Sequence, residues 1–230
     1  MSGPELLVVA LPIGDPRDIT VRARQVLESV DLIICEELKP ALRLLKRLDI
    51  KKPLELLNEH NEEDKSRELL FFLLQNRIKA ALVADAGTPG FADPGSKLVD
   101  LCQQNGIRVT PVPGACSLTA ALMVSGVKLD NFLYRGFLSA NKETRISQLK
   151  GLPRNIDIVL LDAPYRLQPL LSDMIKILGY NRQAVLAYKL TCPGEKVITG
   201  SISDLQKISA DWDKGEFVII LKKAEDRQRK

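Results

Sequence analysis

The sequence predicts an α/β protein of two domains, the first built on a mostly parallel sheet and the second on a mixed one. Three observations carry this. Over residues 6–110, short apolar runs alternate with segments of helical periodicity, the pattern of strand–helix crossovers and of a sheet covered on both faces. Beyond residue 130, several strand-like runs follow one another with no helix between them, which calls for antiparallel neighbours. Between the two regions, Pro111, Pro113 and Gly114 break the pattern. The boundary is therefore set at Pro113, giving domains 1–113 and 114–230.

Taken in order, Leu6 to Ala10 reads as a buried strand. Thr20 to Ser29 reads as a helix, with Asp18 as its N-cap. Leu32 to Cys35 is a strand and Leu38 to Leu48 a basic amphipathic helix, with Pro40 in the first turn, where its missing N–H costs nothing. Leu54 to Leu57 is a short strand, and Glu62 to Gln75 a helix that Asn61 is placed to cap. Strand Ala80 to Ala84 and helix Lys97 to Gln104 follow, then Gly106 as a C-terminal cap glycine and strand Ile107 to Thr110. In the second domain the reading is helix 115–125, strand 132–137, helix 142–149, strand 156–161 and helix 167–178. Strands 184–190 and 196–199, helix 203–208 and strand 217–221 complete it.

Composition narrows the function. A 45% hydrophobic and 27% charged chain of 230 residues has enough apolar matter for a core. Its longest apolar runs, such as Leu6 to Leu11 and Phe217 to Leu221, are strand-sized, so no membrane span and no secretory leader is expected. The cysteines Cys35, Cys102, Cys116 and Cys192 form no C-x-x-C pair and no zinc spacing, which fits free thiols in a cytoplasmic protein. His60 is the only histidine, so histidine triads and histidine metal sites are excluded, and no metal is expected. Any general base is a carboxylate, Lys, Tyr or Cys, or else no strong base is used. Net charge is only +4, and the segment 222–230 supplies much of it. Two local runs are more basic: six Lys or Arg against one acid over 39–52, and four against one over 142–154. Either suits a polyanion or a solvated helix face.

Three loops follow predicted strand ends. They are Leu11-Pro12-Ile13-Gly14-Asp15-Pro16, the run Asp85-Ala86-Gly87-Thr88-Pro89-Gly90-Phe91-Ala92-Asp93-Pro94-Gly95, and Val112-Pro113-Gly114-Ala115-Cys116-Ser117. A single Gly/Pro turn is usually only a turn. Three of them at the carboxyl ends of strands in an open α/β sheet lie where ligands bind. The chain has neither G-x-G-x-x-G after its first strand nor G-x-x-x-x-G-K-[ST], so dinucleotide and P-loop sites are disfavoured. A small organic cofactor held by backbone groups remains.

The segments V-V-A-L-P-I-G-D-P-R-D-I-T (8–20), N-E-H-N-E (58–62), A-L-V-A-D-A-G-T-P-G-F-A-D-P-G (81–95), V-P-G-A-C-S (112–117) and K-G-E-F-V-I-I (214–220) resemble the tetrapyrrole methylase superfamily. Within it they are most similar to the subgroup that 2′-O-methylates a cytidine ribose of small-subunit ribosomal RNA. The resemblance runs from about Leu6 to Leu221. It implies S-adenosylmethionine bound between two α/β domains, small-subunit ribosomal RNA as partner with neither DNA nor membrane, and a homodimer. Where the subgroup carries A-E-D-T-R and E-S-P-H-R, this chain has Cys35-Glu36-Glu37-Leu38-Lys39 and Asp162-Ala163-Pro164-Tyr165-Arg166.

Carried over by position, the resemblance implies cofactor contacts from Pro12, Ile13, Gly87, Thr88, Phe91, Cys116, Ser117, Asp162, Gly215 and Glu216. Amides at the start of the helix at Ala115 suit a carboxylate, and Phe91 suits the apolar part of the cofactor. On the acceptor side it implies Lys39, Arg43, Glu59, His60, Asn61 and Arg166. Methyl transfer is an in-line displacement in which alignment does most of the work. A ribose hydroxyl also needs a proton acceptor, for which Glu36 is the first candidate and Glu37 the second. Two other readings stay open: the same methyl donor with a tetrapyrrole or protein acceptor, and a catalytically silent cofactor-binding regulatory module.

Overall fold

A computed structural model describes residues 3–90, 93–128 and 130–224. The chain divides into two compact units, Met1–Cys116 and Ser117–Lys230.

The first unit carries strands β1 (Glu5–Val9), β2 (Leu32–Cys35), β3 (Leu54–Leu56), β4 (Lys79–Leu82) and β5 (Arg108–Val112), in spatial order β3-β2-β4-β1-β5. Every pairing is parallel. The helices between them are α1 (Val21–Ser29), α2 (Leu38–Leu48), α3 (Glu62–Asn76) and α4 (Ser96–Gln104). The strands are apolar at successive positions because both faces are covered. Leu7, Val9 and Ile33 point into one core with Ala23 and Leu27 of α1 and Ala41 and Leu45 of α2. Leu6, Leu32 and Ile34 point into the other, with Leu69 and Leu73 of α3 and Leu98 and Cys102 of α4. The period of two in the strands thus sorts neighbouring residues onto opposite cores.

The second unit holds α5 (Ser117–Val124), β6 (Phe132–Phe137), α6 (Lys142–Lys150), β7 (Asp157–Asp162), α7 (Leu167–Leu178), β8 (Gln183–Tyr188), β9 (Lys196–Ser201), α8 (Ile202–Ile208) and β10 (Phe217–Leu221). Its sheet order is β6-β7-β10-β8-β9. Only β6 and β7 are parallel, and the other three pairings are antiparallel, so the sheet is mixed. Ile158, Leu160, Leu186, Ile219 and Leu221 of the sheet share one core with Leu170, Leu171 and Met174 of α7 and Ile202 and Leu205 of α8.

Three local readings need correction. The N-cap of α1 is Thr20, whose Oγ1 accepts from the Ala23 amide at 3.0 Å. Asp18 instead ends a 3₁₀ turn, Pro16–Asp18, that Asp15 caps. Asn61 precedes α3 but makes no capping bond to it; its side chain is turned back onto the preceding loop, where Oδ1 accepts from the Asn58 amide at 2.8 Å. The strand expected to stop at Thr110 runs on through Pro111 to Val112. It is the edge strand, where a proline's missing N–H breaks no interior ladder.

Candidate active site

The parallel order of the first unit delivers the loops after β1, β2, β3, β4 and β5 to one sheet edge. Two of these loops are stitched together through glycine. The Leu11 amide donates to the Gly87 carbonyl at 2.7 Å, and the Gly87 amide donates back to Leu11 at 3.1 Å. Gly87 has φ +74°, and a Cβ there would lie 3.1 Å from Ile13 Cγ2. Only glycine meets both demands without strain. Thr88 Oγ1 donates to the Ala115 carbonyl at 3.1 Å, tying in the third loop. Pro12, Ile13, Gly87 and Thr88 are therefore brought together as one backbone-lined ledge. Cys116 and Ser117 follow directly in the chain, and both are half-buried. Phe91 lies outside the described residues.

The far end of the long loop is anchored by a residue that pattern reading passed over. Glu62 Oε1 accepts from the amides of Gly95 and Lys97 at 2.8 and 3.2 Å, so the first residue of α3 caps the start of α4. The only hint was its acidic type beside a loop carrying free amides.

Carboxylates converge at the same edge. Asp85 Oδ1 accepts from the Glu37 amide at 3.1 Å, which joins the β2 and β4 loops. The Glu36 carboxyl is pushed up to about 7, first by burial and then by the negative charge of Asp93, Asp85, Glu59 and Glu37. Asp93 is pushed up to about 6 by burial, then by Asp85 and Glu59, and Asp85 is also raised, chiefly by burial. A carboxyl balanced near neutral pH takes and releases a proton readily. Asp85 and Asp93 were not singled out from the sequence. Their closeness to Glu36 follows from β4 lying next to β2 in space, though 43 residues of chain lie between the end of β2 at Cys35 and the start of β4 at Lys79.

The acceptor-side residues split. Lys39 and Arg43 stand exposed on α2, and Arg43 borders a cavity of about 270 Å³. Glu59 and His60 are exposed on the β3–α3 turn, where Asn58 Oδ1 accepts from the amides of His60 and Asn61 at 3.1 and 3.2 Å.

The remaining candidates lie on the second unit. Asp162, at the end of β7, is buried and ion-paired with Arg166, and it also accepts from the Ala163 amide at 2.7 Å. The second nitrogen of Arg166 donates to the Leu138 carbonyl at 3.0 Å. Nε and Nη2 of Arg166 are thus engaged inside its own unit, while Nη1 is buried with no hydrogen-bond partner among the described residues. A Cβ at Gly215 would lie 2.5 Å from Lys189 Cε, so glycine is needed there for close approach, and Glu216 beside it is exposed. Among the described residues, no group of three or more His, Cys, Asp or Glu side chains is placed to hold a metal ion, and no helix is long and apolar enough to cross a membrane.

Glycine-built loops and proton-poised carboxylates at the carboxyl edge of a parallel sheet define a small-ligand α/β enzyme. Comparison with known proteins makes this specific. Residues 5–206 match the family of tetrapyrrole (corrin/porphyrin) methylases, and the chain belongs to that family. It is an S-adenosylmethionine-dependent methyltransferase. A Pasteurella multocida (strain Pm70) protein named ribosomal RNA small subunit methyltransferase I is 39% identical over 220 residues, covering 94% of this chain and 78% of its own length. A diphthine synthase crystal structure shares the fold with TM-score 0.74 at 18% identity, over 95% of this chain and 89% of that one. A uroporphyrin-III C-methyltransferase from Thermus thermophilus, complexed with S-adenyl homocysteine, matches with TM-score 0.64 at 15% identity, over 94% and 96%.

Proposed function

We propose that this chain methylates the 2′-hydroxyl of a ribose in small-subunit ribosomal RNA. The observation that carries the reading is Glu36: a carboxyl poised at about 7, on the sheet edge that also holds the Gly87 ledge. A hydroxyl acceptor needs such a base, because the alcohol is a poor nucleophile until its proton begins to leave. The RNA assignment is supported by the names of relatives near 39% identity and by the exposed basic residues Lys39, Arg43, Lys46 and Arg47 of α2.

The ledge fits the methyl donor. Gly87 at φ +74°, bonded both ways to Leu11, leaves room for a ligand against bare backbone where any side chain would meet Ile13. When bound, S-adenosylmethionine supplies an electrophilic methyl carbon on a sulfonium sulfur. Pro12, Ile13, Gly87 and Thr88 would hold it on this unit. Asp162, Gly215 and Glu216 remain the second unit's proposed contributors. Glu36 would accept the hydroxyl proton as the C–O bond to the methyl carbon forms and the C–S bond to the sulfonium breaks, leaving S-adenosylhomocysteine. Asp85, fixed by the Glu37 amide, and Asp93 keep Glu36 basic enough for that task.

The test is direct. Small-subunit ribosomal RNA from cells with and without the gene is digested to nucleosides and analysed by mass spectrometry. Loss of one 2′-O-methylated nucleoside, restored by the native gene but not by Glu36→Gln, is the expected result. An unchanged nucleoside profile overturns the RNA reading.

A further inference from the structure

Alongside the carboxylates, the first unit holds a cavity of about 270 Å³, lined by Pro12, Pro16, Pro40, Arg43, Arg47 and Asp85, among others. One wall is the β1 loop, and the other is α2. Its charge layout is uneven. Arg43 and Arg47, four residues apart, project from the same face of α2, and both are exposed. Among the described residues, neither engages a carboxylate in an ion pair. The nearby Asp15 is already held by Arg17 Nε at 2.9 and 3.0 Å, which keeps its carboxyl down at about 2. Asp85, which belongs to the Glu36 group, marks the cavity's other side.

Basic residues in a last helical turn often serve the helix dipole, and Lys46 and Arg47 do sit in the last turn of α2. Arg43 is a full turn earlier, so the dipole does not account for it. The volume lies just under the ~300–1,000 Å³ typical of drug-sized ligand pockets. It suits one sugar–phosphate unit and is small for a whole nucleoside-bearing cofactor. Guanidinium groups are matched in shape to phosphate oxygens, and rigid proline walls suit the face of a sugar or base.

We infer that this groove is a subsite for the sugar–phosphate of a single-stranded RNA segment, clamped by Arg43 and Arg47. The inference rests on the RNA reading given above and deepens it by naming Arg47 and the groove. The arginines take the phosphate, and Asp85 turns it away from the carboxylates. The ribose hydroxyl side of the strand is thereby left toward Glu36. Because the contact is to backbone, it is independent of base sequence.

The test uses full-length protein and two fluorescein-labelled single-stranded RNA 12-mers of unrelated sequence, followed by anisotropy over a salt series. The variants are R43Q/R47Q, K46Q as a charge control on α2 outside the groove, and the native chain. R43Q/R47Q is expected to weaken both RNAs roughly tenfold or more. The slope of log affinity against log salt should flatten by about 1.4, the value for two lost single-strand phosphate contacts. K46Q should change the slope by less than half as much. Calorimetry with S-adenosylhomocysteine should be unchanged in all three, which also reports intact folding. If the native chain binds RNA and R43Q/R47Q keeps its slope, or if K46Q loses as much, the groove inference is wrong while the RNA reading stands. If the native chain binds neither RNA, the RNA reading fails, and with it the groove; an acidic protein segment then becomes the better occupant.

Discussion

The two units treat charge in opposite ways. At the carboxyl edge of the parallel sheet, Glu36 and Asp93 sit close together and partly buried with Asp85, and their carboxyls are pushed toward neutrality. In the mixed-sheet unit, the buried Asp162 and Asp173 each face an arginine, although burial still raises the Asp162 carboxyl. Arg145 pairs with Asp173 at 2.8 Å and Arg166 with Asp162, while at the surface Lys189 reaches the exposed Asp213 at 2.6 Å. Topology explains much of this. Five parallel strands must send every outgoing loop to one edge, so polar loop residues crowd there. Antiparallel neighbours distribute their turns to both ends, and each charge is settled locally. The first arrangement stores electrostatic strain of the kind found at functional sites, and the second contributes rigidity.

The largest expected effect tests the rigid side. Arg145 and Asp173 are both buried, and beyond Asp173 the arginine donates only to the carbonyls of Ser139 and Ala140. Asp173→Ala should therefore cost about 3–5 kcal/mol in urea unfolding, because it strands a buried cation. Removing a carboxylate from the other unit should do the reverse. A loss under 1 kcal/mol for Asp173→Ala would mean that the second unit's pairs are not structural.

Glu36→Gln sharpens the comparison from the strained side. Transfer to RNA should fall by roughly 100-fold or more, the scale of a lost general base. In the native enzyme kcat/KM should rise with pH through about 7 as Glu36 ionises, and the variant should lack that limb. Stability should run the other way. The folded carboxyl holds its proton up to about 7 whereas its ordinary value is 4.5, so the folded state binds more protons between those values. That contribution is fully present below pH 4.5 and is lost as pH rises through 7. The native melting temperature should thus decline between pH 5 and pH 8 more steeply than that of Glu36→Gln. Parallel curves would show that Glu36 carries no such strain.

Much of the fold was legible, and part of the site was not. Alternation of apolar runs with helical segments located the ten strands and eight helices among the described residues to within a few residues. Local chemistry failed where a nearer partner won: Thr20 outcompeted Asp18 as a cap, and Asn61 turned to Asn58. The glycine ledge was readable because Gly and Pro at strand ends have local meaning. Asp85 and Asp93 were not, because their roles depend on which strands become neighbours; Arg47 was legible as part of the basic run over 39–52, but its place in a groove with Arg43 depends on how α2 faces the β1 loop. No local spacing encodes either.

A pair of alanine substitutions asks whether the ledge matters for ligand or only for backbone shape. Gly87 and Gly179 both have positive φ, +74° and +92°, but only Gly87 has a neighbour for an added Cβ, Ile13 at 3.1 Å. Each alanine should cost about 1–3 kcal/mol of stability, because both positions have the positive φ that only glycine adopts without strain. Only Gly87→Ala should also weaken S-adenosylhomocysteine in calorimetry. Equal binding by both variants would remove the ledge from the cofactor site.

The smallest effect concerns a lysine on the mixed sheet. Lys196 Nζ stands 4.3 Å from the centroid of the Trp212 ring, and Trp212 in turn packs on Tyr188 with centroids 4.7 Å apart. Tyr188 is buried and donates its hydroxyl to the Asp213 carbonyl at 2.6 Å, so the ring pair is braced from beneath. A cation over an indole face at a site open to water contributes about 0.5–1 kcal/mol. Lys196→Met keeps the aliphatic stem over the ring while removing the charge. It should therefore lose about that amount in urea unfolding, and its stability should become less sensitive to salt. RNA affinity and its salt slope should stay at the native values, because this cation is engaged by an aromatic face within its own unit. A fall in RNA slope comparable to that of R43Q/R47Q would show that the mixed-sheet unit also offers charge to the substrate. The division between a strained, ligand-facing unit and a settled, bracing one would then not hold.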